Sequence, residues 1–168
     1  MNRVLLVRLG ALGDIVHAIP VAAALRRAYP AARLDWLVSD QHRAILDLVP
    51  IIDRRMVIGG GESSGATTMW NAVRALRRSR YDVAIDLQGL VKSAALARSS
   101  GAERVVGFAS SYLRERLARA FYTSVYDPGC NGIYDPGETR HVVEINLGLL
   151  EPLGISNVVP EFPIEPVH

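Results

Sequence analysis

Short apolar runs alternate with segments of helical period along almost the whole chain, and that rhythm leaves few folds open. Val4 to Arg8 reads as a strand, Leu9-Gly10-Ala11-Leu12-Gly13-Asp14 breaks it, and Ile15, Ala18, Ile19, Ala22, Ala23 and Leu25 then recur with a period near four as far as Tyr29-Pro30. That is strand, glycine loop, helix. Arg33 to Val38 gives a second strand, Gln41 to Leu48 a short helix, and Asp53 to Ile58 a third strand that runs into Gly59-Gly60-Gly61. Such alternation predicts an α/β fold, a Rossmann-like parallel sheet with flanking helices. The rhythm continues with a helix over Met69 to Arg80, a strand over Asp82 to Leu87, a helix over Val91 to Arg98 and a strand over Glu103 to Gly107. Helices are also expected over Tyr112 to Ala120 and His141 to Leu153, with a glycine- and serine-rich loop over Gly59 to Thr67. Tyr126-Asp127-Pro128-Gly129 and Tyr134-Asp135-Pro136-Gly137 read as two successive turns, too short to form a stacking repeat.

With 168 residues, of which 49% are apolar, the chain can bury one good core and has no room for a second full domain. The longest apolar stretch, Ile15 to Leu25, contains His17 and Pro20 and falls short of the roughly 20 residues of a membrane span. Val4 to Val7 is too short for the apolar region of a signal peptide, so a cytoplasmic location is expected. Cys130 is the only cysteine, which excludes an internal disulfide framework and a cysteine-based zinc site. Pro160, Pro163 and Pro166 prevent a helix or a central strand near the end. The expected division is a domain over 1–158 and a proline-rich segment over 159–168. That segment is open to two readings, an interdomain linker or a disordered tail.

The Gly10 to Asp14 loop sits between first strand and first helix, where open parallel sheets bind ligands. Leu12 stands where a dinucleotide-binding loop has its second glycine, and the Asp14 carboxylate would repel a pyrophosphate at the helix entrance. The loop is therefore read against nucleotide binding. Asp14 itself is either a helix cap or a general base, the latter suited to a transfer in which the acceptor proton leaves late. His17 lies one turn on, at i+3, and is either hydrogen-bonded within the helix or part of the site. Gln88, Lys92 and Ser93 follow the fourth strand and are expected at the same edge of the sheet. Lys92 is the single lysine among 19 basic residues, and a solvated place in the first turn is its plain alternative. His141 and Glu144 share a helical face and read as structural. The net charge of +2 and the lack of a basic run interleaved with aromatics argue against nucleic acid.

Four stretches in order, VRLGALGDIVHAIPVAAALRRAYPAARLDWLV, AIDLQGLVKSAALAR, LRERLARAFY and HVVEINLGLLEPLG, resemble the ADP-heptose:lipopolysaccharide heptosyltransferases, particularly the type that adds the first heptose to Kdo. The Gly59 to Thr68 loop and the double Tyr-Asp-Pro-Gly turn lie outside the resemblance. It implies a GT-B architecture, of which this chain is similar to the N-terminal, acceptor-binding half, the ADP-heptose donor being held mainly by the C-terminal half. It favours the linker reading of the proline-rich end. It also implies that Asp14 is the base, that heptose is transferred with inversion, and that neither metal nor cofactor takes part. Gly13, His17, Gln88, Lys92, Ser93 and Arg114 are the acceptor-binding candidates, Arg114 as a planar partner for the acceptor carboxylate. Arg116 stands where relatives often have proline. The implied acceptor is of Kdo-lipid A type. Arg54, Arg55, Arg74, Arg77, Arg78 and Arg80 would then offer a basic surface for peripheral contact with the inner membrane. Two other readings are a stand-alone α/β ligand-binding module and a related glycosyltransferase with another sugar donor.

Overall fold

The structure is a computed structural model that describes residues 1–59, 65–129 and 136–165. Among these, six strands form one parallel sheet in the order β3-β2-β1-β4-β5-β6. They are β1 (Arg3–Val7), β2 (Arg33–Ser39), β3 (Arg54–Ile58), β4 (Val83–Asp86), β5 (Arg104–Phe108) and β6 (Ser124–Tyr126). The helices are α1 (Leu12–Ala28), α2 (Gly65–Ser79), α3 (Val91–Ser99) and α4 (Val142–Gly148). Val4 to Val7 are fully buried, as expected of a strand covered by helices on both faces. Its partner β2 buries Trp36 completely and also Asp35, whose carboxylate accepts from Tyr81 Oη at 2.7 Å and Arg33 Nε at 2.9 Å. A buried carboxylate is tolerated there because both oxygens are paired.

Strand β1 pairs with β2 on one side and β4 on the other, so the chain order reverses between β1 and β4. At such a switch point the loops leaving the two strands diverge and open a crevice at the carboxyl edge. Right-handed crossovers put α1 and the 3-10 segment Asp40–Leu48 on one side of the sheet and α2 and α3 on the other. Packing agrees: α4 contacts α1, whereas α3 contacts α2 and the 3-10 segment Arg116–Phe121.

The short helix expected over Gln41 to Leu48 is present, as the 3-10 helix Asp40–Leu48. Several other expectations are corrected. The helix expected over Tyr112 to Ala120 is two 3-10 pieces, Ser110–Tyr112 and Arg116–Phe121. Between them Leu113 is extended and buried, and its Cδ2 would stand 2.9 Å from a Cβ on Gly89. Driving Leu113 into the core against that glycine breaks the helix. Helix α2 starts at Gly65, inside the stretch expected as loop. Helix α4 stops at Gly148, before a 3-10 turn at Glu151–Leu153, because Pro152 cannot continue it. Strand β6 was not anticipated and includes Tyr126, the first residue of the first expected turn. The turn itself follows, with Asp127 Oδ1 accepting from the Gly129 N–H at 3.0 Å and Gly129 at φ 74°. Tyr134 and Asp135 of the second turn, together with Cys130, lie outside the described residues. The 159–168 segment touches the domain through the Arg27–Glu161 ion pair and the Glu165 N–H, which donates to Leu48 O at 2.9 Å.

Candidate functional site

The crevice is built from the ends of β1 and β4. Arg8 follows β1, and its guanidinium donates to Leu87 O from one nitrogen and meets Asp14 Oδ2 at 2.5 Å with the other. Asp14 Oδ2 also accepts from the Ala11 N–H at 3.3 Å, so this carboxylate closes the start of its own helix. The structure shows the capping contact through one oxygen, and the carboxylate also lines an open cavity and is 44% exposed. Gln88 reaches back across the switch point, its Oε1 accepting from the Leu9 N–H at 2.8 Å. The two loops are therefore fastened to one another.

Beneath Gln88 lies a buried polar knot. Asp86 is fully buried at the end of β4; its Oδ1 accepts from the N–H groups of Gln88 at 2.9 Å and Gly89 at 3.3 Å. Its Oδ2 accepts from Tyr122 Oη at 2.7 Å and Ser93 Oγ at 3.0 Å. Burial pushes the Asp86 carboxyl above the ordinary carboxylate range, and these four donors oppose the shift. Burial, with the Asp86 charge beside it, drives the Tyr122 phenol upward. A Cβ on Gly107 would fall 2.3 Å from the Tyr122 ring, so the absence of a side chain there seats the phenol over Asp86.

Two cavities flank the Gly10-Ala11 loop. One, of about 480 Å³, contains Arg8, Asp14, Gln88, Arg114, Arg140 and Asn146 in its wall. The other, of about 610 Å³, is bounded by Ser39, Asp40, Gln41, His42, Gln88 and Lys92. Asp14, Gln88, Lys92 and Arg114 are thus gathered around one loop. Ser93 is not: it is completely buried on Asp86, with its hydroxyl serving the knot, which corrects its expected place in the crevice. His17 is also elsewhere, set edge-on to His141 with ring centroids 5.6 Å apart, while its carbonyl accepts from Asn146 Nδ2 at 3.2 Å. Packing of α1 on α4 turns it away from both cavities. Gly13 is exposed and lines neither. His141 caps α4, its Nδ1 accepting from the Val143 N–H, in keeping with a structural role.

Sequence reasoning missed Arg8, His42, Arg140 and Asn146. Arg8 carried a legible signal, a cation at the last position of the strand before the loop. His42 had a weaker one in Gly10, where a Cβ would come within 2.8 Å of the imidazole ring. Arg140, held by Glu138 at 2.7 Å, and Asn146 arrive from the far end of the chain. Among the described residues, no group of three or more His, Cys, Asp or Glu side chains could hold a metal ion. Among the described residues no helix is long and apolar enough to cross a membrane.

Residues 69–153 match the family model described as glycosyltransferase family 9 (heptosyltransferase). Lipopolysaccharide heptosyltransferase 1 of Pseudomonas aeruginosa is 33% identical over 140 residues, covering 74% of this chain and 37% of that protein. The structure of E. coli heptosyltransferase WaaC with ADP superposes with a TM-score of 0.79 at 26% identity, over 96% of this chain and 51% of that one. The glycosyl transferase family 9 structure from Veillonella parvula, at 20% identity and a TM-score of 0.80, shares the fold over 99% of this chain and 46% of its own. The chain therefore spans well under half the length of the curated relative and about half of the solved structures.

Proposed function

The chain belongs to glycosyltransferase family 9, the heptosyltransferase family, and from that premise we propose that it forms the acceptor-binding half of an inverting GT-B enzyme. That enzyme transfers heptose from ADP-heptose to the Kdo-lipid A inner core of lipopolysaccharide, at the cytoplasmic face of the inner membrane. The observation that carries the proposal is the Asp14 carboxylate, fixed through Oδ2 by Arg8 and Ala11 at the mouth of a cavity that also holds Arg114.

In the proposed reaction the acceptor hydroxyl attacks the anomeric carbon of the heptose from the face opposite the ADP. The carbon–oxygen bond to ADP breaks as the new one forms, and the hydroxyl proton passes to Asp14. Inversion follows from the single displacement. A carboxylate at a helix N-terminus is a weak base in the ground state, so the transfer of the proton lags bond formation. Arg8 holds the carboxylate in position, because its guanidinium is itself tied to Leu87 O. Arg114 supplies a planar donor pair for the acceptor carboxylate. Gln88 and Lys92 extend the acceptor surface past the Gly10-Ala11 loop, and the donor site belongs to the second domain.

Titration of the purified chain with a Kdo-lipid A acceptor and, separately, with ADP-heptose tests this division. The expected result is saturable acceptor binding, no heptose transfer, and a roughly tenfold weaker acceptor affinity in Arg114→Ala, the cost of one partly solvated charge-assisted contact. Transfer of heptose by this chain alone, or binding of ADP-heptose without binding of the acceptor, would refute it.

A further inference from the structure

The two faces of the sheet differ in charge, one strongly basic and the other close to balanced. On the side of α2 and α3, the residues of α2 with Arg80, α3, and the span from Ser110 to Phe121 include nine arginine or lysine residues and one carboxylate, Glu115. Even Glu115 is engaged, accepting from the Val91 N–H at 2.6 Å. On the other side, α1, the Asp40–Leu48 segment and α4 have three arginines against four carboxylates. Arg55, expected with the basic group, pairs with Asp47 and so belongs to this second side.

The basic side is continuous. Arg77 Nε donates to Ser99 O at 3.1 Å and joins α2 to the end of α3, and α3 packs on the Arg116–Phe121 segment. Two large apolar side chains stand out from it, Trp70 at 68% and Leu117 at 78% exposure. Trp70, Arg74, Arg77 and Arg78 recur at helical spacing, and with Val73 and Arg80 they enclose a groove of about 510 Å³. Arg74, Arg78, Arg80, Arg98 and Arg116 form no ion pair with a carboxylate among the described residues.

We infer that this face docks on an anionic lipid surface, with the arginines on headgroup phosphates and Trp70 and Leu117 entering the headgroup boundary. An indole ringed by guanidinium groups has the chemistry of a membrane interface, apolar ring and cations together. The charge difference between the two faces orients the molecule as well as attracting it. Lys92 and Arg114, which line the two cavities, belong to the same charged side, so docking brings the crevice to the lipid boundary. Docking does not depend on the sugar chemistry proposed above and would hold for any lipid-borne ligand.

Vesicle flotation with the 168-residue chain tests the inference, using phosphatidylcholine vesicles with and without about one third phosphatidylglycerol at about 0.1 M salt. Binding is expected to the anionic vesicles only and to fall steeply on raising the salt. Arg74→Glu with Arg78→Glu should weaken it by at least about tenfold, whereas Arg27→Glu with Arg43→Glu on the opposite side should change it by less than about threefold. Trp36 is fully buried and Trp70 exposed, so brominated lipid should quench Trp70 emission and leave a residual Trp36 signal that Trp70→Phe isolates. Circular dichroism checks that each variant is folded. Equal binding to both kinds of vesicle, equal loss in both double variants, or binding to an oligonucleotide with none to anionic vesicles would overturn the inference.

Discussion

Replacement of Asp14 by asparagine in the full-length enzyme should lower kcat by about a hundred- to ten-thousand-fold while the acceptor KM stays within about twofold. The asymmetry follows from how the side chain is held. One oxygen already takes the Arg8 guanidinium and the Ala11 N–H. An asparagine can turn its carbonyl oxygen to those two donors, keeping the helix start closed, and present its amide nitrogen to the acceptor. Shape is retained and the proposed base is gone. Asparagine also serves as a cap, so unfolding stability should drop by no more than about 1 kcal/mol, a partly exposed ion pair being the main loss. Steady-state kinetics with acceptor and ADP-heptose, beside a urea melt, separate the two roles. A variant that turns over at nearly the normal rate leaves Asp14 as a helix cap only.

The fold was legible because the sheet is parallel and buried on both faces. Strands such as Val4-Leu5-Leu6-Val7 are continuous apolar runs, and each is followed by a segment of helical period. What the pattern missed were elements whose geometry is set by tertiary contact. Leu113 extends to reach the core over Gly89, which splits a run that reads as helix into two 3-10 turns. Strand β6 is three residues long, too short for a period to register, and exists because β5 offers an edge.

The candidate site divides in the same way. Residues placed by the two strand ends, Asp14, Gln88 and Lys92, were readable from position alone, since a switch point fixes where such loops meet. Ser93 was misread because its helix brings it to Asp86, and a buried carboxylate at the end of an apolar strand gives no sign in the sequence of which donors it will collect. His17 shares a helical face with Asp14 in projection, but α4 covers that face one turn on, and the contact between α1 and α4 joins residues more than a hundred positions apart.

Asp86 is where loss of one group should cost the most stability. Asp86→Ala would leave four donors facing a buried void: the N–H groups of Gln88 and Gly89 and the hydroxyls of Ser93 and Tyr122. Unpaired buried donors cost about 1–3 kcal/mol each before relaxation, so a loss of about 3–5 kcal/mol is expected, a large share of the 5–15 kcal/mol typical of a domain. Tyr122→Phe isolates one contact and should cost about 1–3 kcal/mol, with a pH dependence whose sign can be fixed. The folded carboxyl is raised above its unfolded value of about 3.9, so protonation favours the fold. Its contribution is full below that value and is lost as pH rises through the folded value. Deleting the phenol donor removes support from the anion and raises the folded value further. The deficit of Tyr122→Phe should therefore grow as pH rises through the folded value, and urea melts over a pH series from about 4 to about 8 measure it; a deficit that shrinks with pH would reverse the assignment. The same knot reaches the chemistry, because the Gln88 backbone it anchors carries the side chain that holds the Leu9 N–H and the loop before Asp14. Asp86→Ala should accordingly depress kcat of the full-length enzyme at temperatures where the variant is still folded, although Asp86 lines neither cavity.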